Sequence, residues 1–212
     1  MTDQGAILIT GARGRIGACL ARHWRDGHDL VLLDREDGDL AVPDPAWTDR
    51  FAGVGTVVHL AGDPDPRAGF ESAGAGNVLA TLNVLRACAA HGVRRVVYAS
   101  SVWADWAPWQ LAERMTWYAA SKIAGEALVA AWAHETPDRA AVCLRFGWFD
   151  PTAPTGTPVQ EARRLDAGTL AMHADAALAR DAPGCVVRYA VGRLAGPDVA
   201  ADAARPAARA IA

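Results

Sequence analysis

The chain has 212 residues, the size of one α/β domain with a small appendage, and 51% of it is hydrophobic, enough for a large core. A formal charge of -3 gives no basic footprint for nucleic acid, and no apolar run is long enough to span a bilayer. Cys19, Cys88, Cys143 and Cys185 are far apart with no C-x-x-C pair, so they read as reduced, mostly buried thiols of a cytoplasmic protein with no metal site.

The first strand begins by residue 6, which leaves no room for a signal peptide, and no internal repeat is present. Ala6 to Thr10 is a short apolar run. The turn Gly11-Ala12-Arg13-Gly14-Arg15-Ile16-Gly17 follows, and a helix is expected from Ala18 to Arg25. Strand, glycine turn and helix in that order form a dinucleotide fingerprint with one spacing changed. Gly11 permits a tight exit from the strand, Gly14 lets a pyrophosphate approach the backbone, and Gly17 lets helix pack on strand. The N–H groups opening the helix suit phosphate. Arg13 and Arg15 are either phosphate contacts or solvent-exposed turn charge.

The second strand, Leu30 to Leu33, ends in Asp34, where the fold places a ribose-binding carboxylate. That carboxylate favours NAD and repels a 2′-phosphate. Neighbouring Arg35 pulls the other way and keeps NADP as the second choice. A loop with a short helix near Ala46 to Phe51 precedes a third strand, Thr56 to Leu60. Its lack of polar alternation suits a buried parallel sheet, and His59 inside it reads as structural. Leu60, Ala61 and Gly62 end the strand, with small residues across which a cofactor can lie.

A loop rich in proline and glycine reaches Gly76, and helical spacing runs from Asn77 to His91, with Gly92 as C-cap. Asn77 at its head reads by default as an N-cap. Strand four, Val96 to Ser100, is followed by Ser101. A loop carrying Trp103, Trp106 and Trp109 leads to a helix from Trp117 to His134, on which Tyr118 and Lys122 share a face. Strand five is Ala141 to Phe146. Beyond Gly147 the signal weakens: a proline-rich boundary at 151–158, short helices near 159–165 and 174–180, a strand from Cys185 to Val191, and a tail from Gly196 without apolar periodicity that reads as disordered.

This order predicts an α/β fold, a doubly wound parallel (Rossmann) sheet whose ligand crevice lies beyond the carboxyl ends of its strands. Residues 1–147 form the dinucleotide-binding core. Residues 148–195 form a reduced C-terminal substrate-binding region of the same domain, and 196–212 the tail.

The chain resembles the short-chain dehydrogenase/reductase superfamily, in particular its extended, epimerase/dehydratase-like branch. The resemblance rests on the motif from Thr10 to Gly17, the strand ending in Asp34, His59-Leu60-Ala61-Gly62, Asn77-Val78 with Thr81 to Leu85, Val97 to Ser101, Tyr118-Ala119-Ala120-Ser121-Lys122, and Leu144 to Gly147. Within that branch the small uronate dehydrogenases look closest, through Met172-His173-Ala174-Asp175.

The resemblance implies that Tyr118 is the proton donor and acceptor, that Lys122 together with the positive nicotinamide ring lowers its pKa from about 10, and that Lys122 bonds the nicotinamide ribose. It implies that Ser101 holds the substrate oxygen, with Ser100 as the alternative and as a cofactor contact. It makes Asn77 mainly structural beside the cofactor. The implied activity is NAD(P)-dependent hydride transfer on a small substrate, a sugar acid or an aromatic ketone or alcohol. The alternatives are an epimerase with transient hydride storage and a cofactor-binding regulator without turnover.

Two departures shape the substrate expectation. Only 17 positions separate Ser101 from Tyr118, and Val102 to Trp106 replaces the usual continuation. The 65 residues after Gly147 are too few for a large sugar-nucleotide domain. Trp103, Trp106, Trp109, Trp117 and Trp148 are expected either to wall the crevice or to fill core space, and Arg145 either to pair with a substrate carboxylate or phosphate or to form a structural ion pair. The family also implies a homodimer through the helices Asn77 to His91 and Trp117 to His134. The alternative is that Leu128 and Trp132 pack on the sheet of a monomer.

Overall fold

The computed structural model describes residues 5–105, 115–149 and 163–192. β1 (Ala6–Thr10) leads through the glycine turn into α1 (Arg15–Trp24), and β2 (Leu30–Leu33) follows. A 3-10 turn (Arg35–Asp37) and the one-turn α2 (Pro45–Thr48) connect to β3 (Val54–His59). A π-helical stretch (Phe70–Gly76) runs straight into α3 (Asn77–Ala90). Then come β4 (Arg95–Ser101), α4 (Trp117–His134), β5 (Ala140–Phe146), α5 (Ala167–Leu178) and β6 (Gly184–Ala190).

The six strands pair in parallel in the order β2-β1-β3-β4-β5-β6. This is the doubly wound α/β fold that the pattern predicts. The winding reverses between β1 and β3, so the carboxyl ends of those strands diverge and leave a crevice there.

Side chains alternate across each strand, which divides the core in two. On one face Leu8, Val57, Val96, Tyr98 and Cys143 pack under α3 and α4 with Val84, Leu85, Val129 and Trp132. On the other, Ile7, Ile9, Val58, Val97 and Leu144 pack against Leu20 and Trp24 of α1 and Leu170 and Ala174 of α5. Burying each Leu or Val of this kind contributes about 1.5–3 kcal/mol. The short α2 persists for the same reason. Asp44 caps it, Pro45 opens it, and Trp47 is fully buried in the first core. Trp132 and Leu128 pack into that core as well, so they face the sheet. The four cysteines are free, with Cys88 and Cys143 buried.

Four boundaries depart from expectation. α1 starts at Arg15, inside the glycine turn, because Gly14 is extended and serves as N-cap. The Phe70–Gly76 stretch, expected as loop, is helical, so Gly76 is in helical conformation and Asn77 is not an N-cap. α5 begins at Ala167 instead of 174, because the Asp166 carboxylate accepts the N–H of Thr169. Arg164 forms a β-bridge with Trp148 instead of ending a helix. The expected boundary at 151–158 and the tail lie outside the described residues. Among the described residues, no helix is long and apolar enough to cross a membrane.

Candidate active site

A cleft of about 2120 Å³ runs along the carboxyl edge of the sheet. Its floor is the glycine turn. Gly11 has φ +67°, and a Cβ there would lie 2.8 Å from the Ala61 nitrogen. A Cβ on Gly17 would overlap the Gly11 carbonyl oxygen and sit 2.8 Å from the Ala12 Cα. These two glycines therefore let β1, α1 and the end of β3 close on one another. Gly14 differs: a Cβ there would meet only the Gly11 oxygen, at 3.2 Å. Gly14 lines the cleft with Arg13, Arg15, Ile16 and Gly17, and no side chain caps the first turn of α1. The empty Gly14 position and the uncapped helix start suit a phosphate.

Asp34 closes one end. Its carboxylate accepts the N–H of Arg13 at 2.7 Å and of Arg35 at 2.8 Å, so it tethers the glycine turn to the end of β2. Two amide bonds leave acceptor capacity for ribose hydroxyls. Arg13 pairs with Glu36, and Arg35 also lines the cleft.

Leu60, Ala61 and Gly62 form the middle of the wall. Asn77 anchors the loop beyond them. Its side-chain oxygen accepts the Asp63 N–H at 2.7 Å, and its amide donates to the Asp63 carbonyl at 3.1 Å and to Ser121 Oγ at 3.3 Å. Asn77 thus ties the loop after β3 to α4.

Ser101, Tyr118 and Lys122 meet at the far end of the same cleft. Ser101 Oγ accepts the Trp103 N–H at 3.2 Å, and its hydroxyl neighbours the Tyr118 phenol. Lys122 is buried, donates to the Ala99 carbonyl at 2.8 Å, and lies 5.7 Å from the Tyr118 ring centre. One such bond leaves ammonium donors for ribose hydroxyls. The glycine floor, Asp34 and Lys122 together fit a dinucleotide.

In the protein alone, Lys122 does not depress the Tyr118 pKa. Burial raises it, the neighbouring Ser101 hydroxyl opposes that, and the nearby Asp63 charge adds to the rise. Burial moves Lys122 the other way, from 10.5 down to about 8. An unfolded chain therefore holds a proton on this lysine that the folded chain lacks between those two values, so stability from this group rises with pH across that window. Below it, the buried charge costs about 3 kcal/mol. Lys122→Met is accordingly expected to raise the melting temperature at neutral pH by about 5 °C while turnover is lost. Paired thermal melts and rate assays check this, and a lower melting temperature contradicts it.

The remaining predicted residues divide. Trp103 and Trp148 line the cleft, partly exposed; Trp117 stacks edge-on against Phe70 at 5.0 Å instead; Trp106 and Trp109 lie outside the described residues. Ser100 lines the cleft but donates its hydroxyl to Glu126 at 2.5 Å. Arg145 is not among the lining residues. Its guanidinium grips Glu126 at 2.8 and 2.9 Å and reaches Tyr189 at 3.2 Å and Asp105 at 3.3 Å. Both partners of the main pair are largely buried, as in a structural ion pair.

The cleft also holds residues that no motif marks, Asp63 and Arg163 among them. Arg163, exposed, lines the cleft beside Trp148, whose N–H bonds the Arg163 carbonyl at 2.9 Å. It lies past the proline-rich stretch, where no periodicity marks it.

The sequence matches the profile of the NAD dependent epimerase/dehydratase family over residues 7–175. The chain belongs to that family. The resemblance to the extended short-chain dehydrogenase/reductase superfamily stands with it, and the family cofactor is NAD.

Among curated relatives in sequence, the NAD-dependent glucose-6-phosphate dehydrogenase of Haloferax volcanii is 37% identical over 111 residues, covering 45% of this chain and 42% of that protein. The 2-alkyl-3-oxoalkanoate reductase of Stenotrophomonas maltophilia is 34% identical over 109 residues, covering 45% and 33%. The match thus spans less than half the length of these relatives. Among solved structures, a mutated uronate dehydrogenase gives a TM-score of 0.72 at 24% identity, over 89% of this chain and 74% of that one. The uronate dehydrogenase of Agrobacterium tumefaciens gives 0.71 at 22% identity, over 89% and 77%. These likenesses carry the epimerase/dehydratase-family fold.

Proposed function

We propose that this family member is an oxidoreductase that uses NAD, with NADP second, on a small hydroxyl or carbonyl substrate, with Ser101, Tyr118 and Lys122 as its catalytic residues. The observation that carries this reading is their meeting with the glycine turn and Asp34 in one cleft.

Bound nicotinamide supplies hydride exchange at its C4. The protein's part is positional and protonic. Ser101 Oγ bonds the substrate oxygen, and Tyr118 Oη takes its proton in oxidation and returns it in reduction. The Lys122 ammonium holds the ribose and favours the phenolate once the two are bridged. Because Tyr118 must already be ionised to take that proton and burial raises its pKa, oxidation is expected to accelerate with pH across the alkaline range.

A sugar acid is the preferred substrate class. Support comes from Trp103 and Trp148 as flat walls and from Arg163, an exposed residue that lines the cleft with them. Sugar dehydrogenases among the relatives, one named for glucose 6-phosphate and one for L-arabinose, support a sugar but not its acid group. We assign the substrate-binding region to 148–195 on this basis. The test is a panel of uronic acids, neutral sugars and aromatic ketones, followed by nicotinamide absorbance with wild type and Arg163→Ala. Uronate turnover with a KM raised about tenfold in the variant supports the reading. Turnover of ketones alone removes it. Epimerised product without net NADH moves the assignment to an isomerase.

Asp34 sets cofactor choice. Asp34→Ser is expected to weaken NAD about tenfold and to narrow the gap to NADP, read by fluorescence titration. An unchanged preference excludes this role. We further propose a cytoplasmic homodimer through the outer faces of α3 and α4, where Ala127 and Ala131 are exposed. Light scattering at twice the chain mass supports it, and a monomer excludes it.

A further inference from the structure

We propose that His59 is a positioning residue for the dinucleotide: it orients the Thr10 hydroxyl, which holds the Leu60–Ala61 backbone as a shelf beneath the cofactor. The proposal rests on the dinucleotide reading of the cleft.

His59 is 2% exposed, at the end of a strand whose preceding positions are Val57 and Val58. An imidazole there loses its hydration, and only hydrogen bonds to both ring nitrogens offset that. Both exist. Nδ1 lies 2.8 Å from Thr10 Oγ1, and Nε2 lies 3.2 Å from Thr81 Oγ1.

Hydrogen accounting then selects the tautomer. Thr10 Oγ1 accepts the Ala61 N–H at 3.2 Å and, also at 3.2 Å, the Leu60 N–H, which it shares with the Thr10 carbonyl oxygen. Both its lone pairs are used, so its own hydrogen goes to Nδ1. The proton on the ring is therefore on Nε2, which donates to Thr81. The Thr81 hydroxyl passes the chain on to the Asn77 carbonyl at 2.9 Å. Burial, helped by the Lys122 charge, lowers the His59 pKa from 6.5 to about 3. The ring thus stays neutral and keeps one hydrogen-bond pattern at working pH.

The pattern has a mechanical consequence. Without an acceptor at Nδ1, the Thr10 hydroxyl turns to find another, and one of its two amide bonds is lost. The Leu60 N–H keeps the Thr10 carbonyl, whereas the Ala61 amide then has no partner. It also has no slack, since it packs so closely on Gly11 that a Cβ there would lie 2.8 Å away. Displacement of this backbone carries it into the cleft it lines.

The two nitrogens can be tested separately. Asparagine puts an oxygen near the Nδ1 position, and glutamine puts an NH₂ near Nε2. His59→Asn keeps the Thr10 bond, and His59→Gln keeps the Thr81 bond. Affinity for NAD is measured by titration, alongside thermal melts. The expectation is a Kd within about twofold of wild type for His59→Asn and about tenfold weaker for His59→Gln, although both melt lower. Thr10→Val should follow His59→Gln, and Thr10→Ser should restore wild-type affinity. Equal NAD affinity in the two His59 variants, or in Thr10→Val and wild type, overturns the proposal.

Absence of NAD binding by the wild type would instead remove the dinucleotide reading. Nitrogen NMR of the wild-type imidazole needs no variant to fold. Protonated Nε2 with bare Nδ1 from about pH 5 to pH 9 is expected, and the opposite tautomer overturns the assignment.

Discussion

Tyr118→Phe is expected to lower turnover by about 10²- to 10⁴-fold while NAD affinity stays within about twofold. The substitution removes one oxygen and keeps the ring, which is buried at the start of α4. The Ser101 hydroxyl keeps the Trp103 N–H, so the turn after β4 is retained. The proton that must leave a substrate hydroxyl has no other acceptor in the triad: Lys122 donates to Ala99, and a serine hydroxyl is too weak a base. Steady-state rates with matched titrations check this. Turnover within tenfold of wild type would exclude Tyr118 as the acid/base.

The second large effect is a contrast between two glycines in one turn. Gly17→Ala is expected to destabilise the fold by at least about 3 kcal/mol, because its Cβ would overlap the Gly11 carbonyl and crowd Ala12, both backbone. No rotamer relieves a backbone overlap, so α1 must move off β1. Gly14→Ala meets one oxygen at 3.2 Å and should melt within a few degrees of wild type. Its methyl group instead occupies the cleft where the turn faces phosphate, and NAD affinity should fall at least about tenfold. Thermal melts and NAD titration of both variants separate the two. A Gly14→Ala protein that melts normally and binds NAD normally would show that the pyrophosphate does not approach there.

The strands were legible because those at the centre of the sheet are largely apolar and covered on both faces, and the six expected strands all form, including edge strand β6 with its exposed Arg188. The glycine turn, Asp34, Ser101, Tyr118 and Lys122 were legible because each sits at a strand end or helix start, and the topology carries those positions to one edge. What escaped depends on tertiary partners. Asn77 looks like an N-cap until the preceding glycine-rich stretch proves helical, and its amide then clamps Asp63. Arg145 has a substrate-like address at the end of β5, but Glu126, 19 residues earlier on α4, claims its guanidinium. Arg163 reaches the cleft only through a β-bridge beside Trp148, a contact without a local pattern. The Tyr118 pKa is governed by burial, which a spacing of four residues does not report.

The most direct test of the account is titration of the purified protein with NAD, NADH, NADP and NADPH, read by tryptophan fluorescence and thermal shift. Trp103 and Trp148 lie in the cleft wall and give the signal. Saturable binding of NAD and NADH, tighter than that of the phosphorylated pair and weakened in Gly14→Ala, is the result the account predicts. Failure of all four to bind would contradict it.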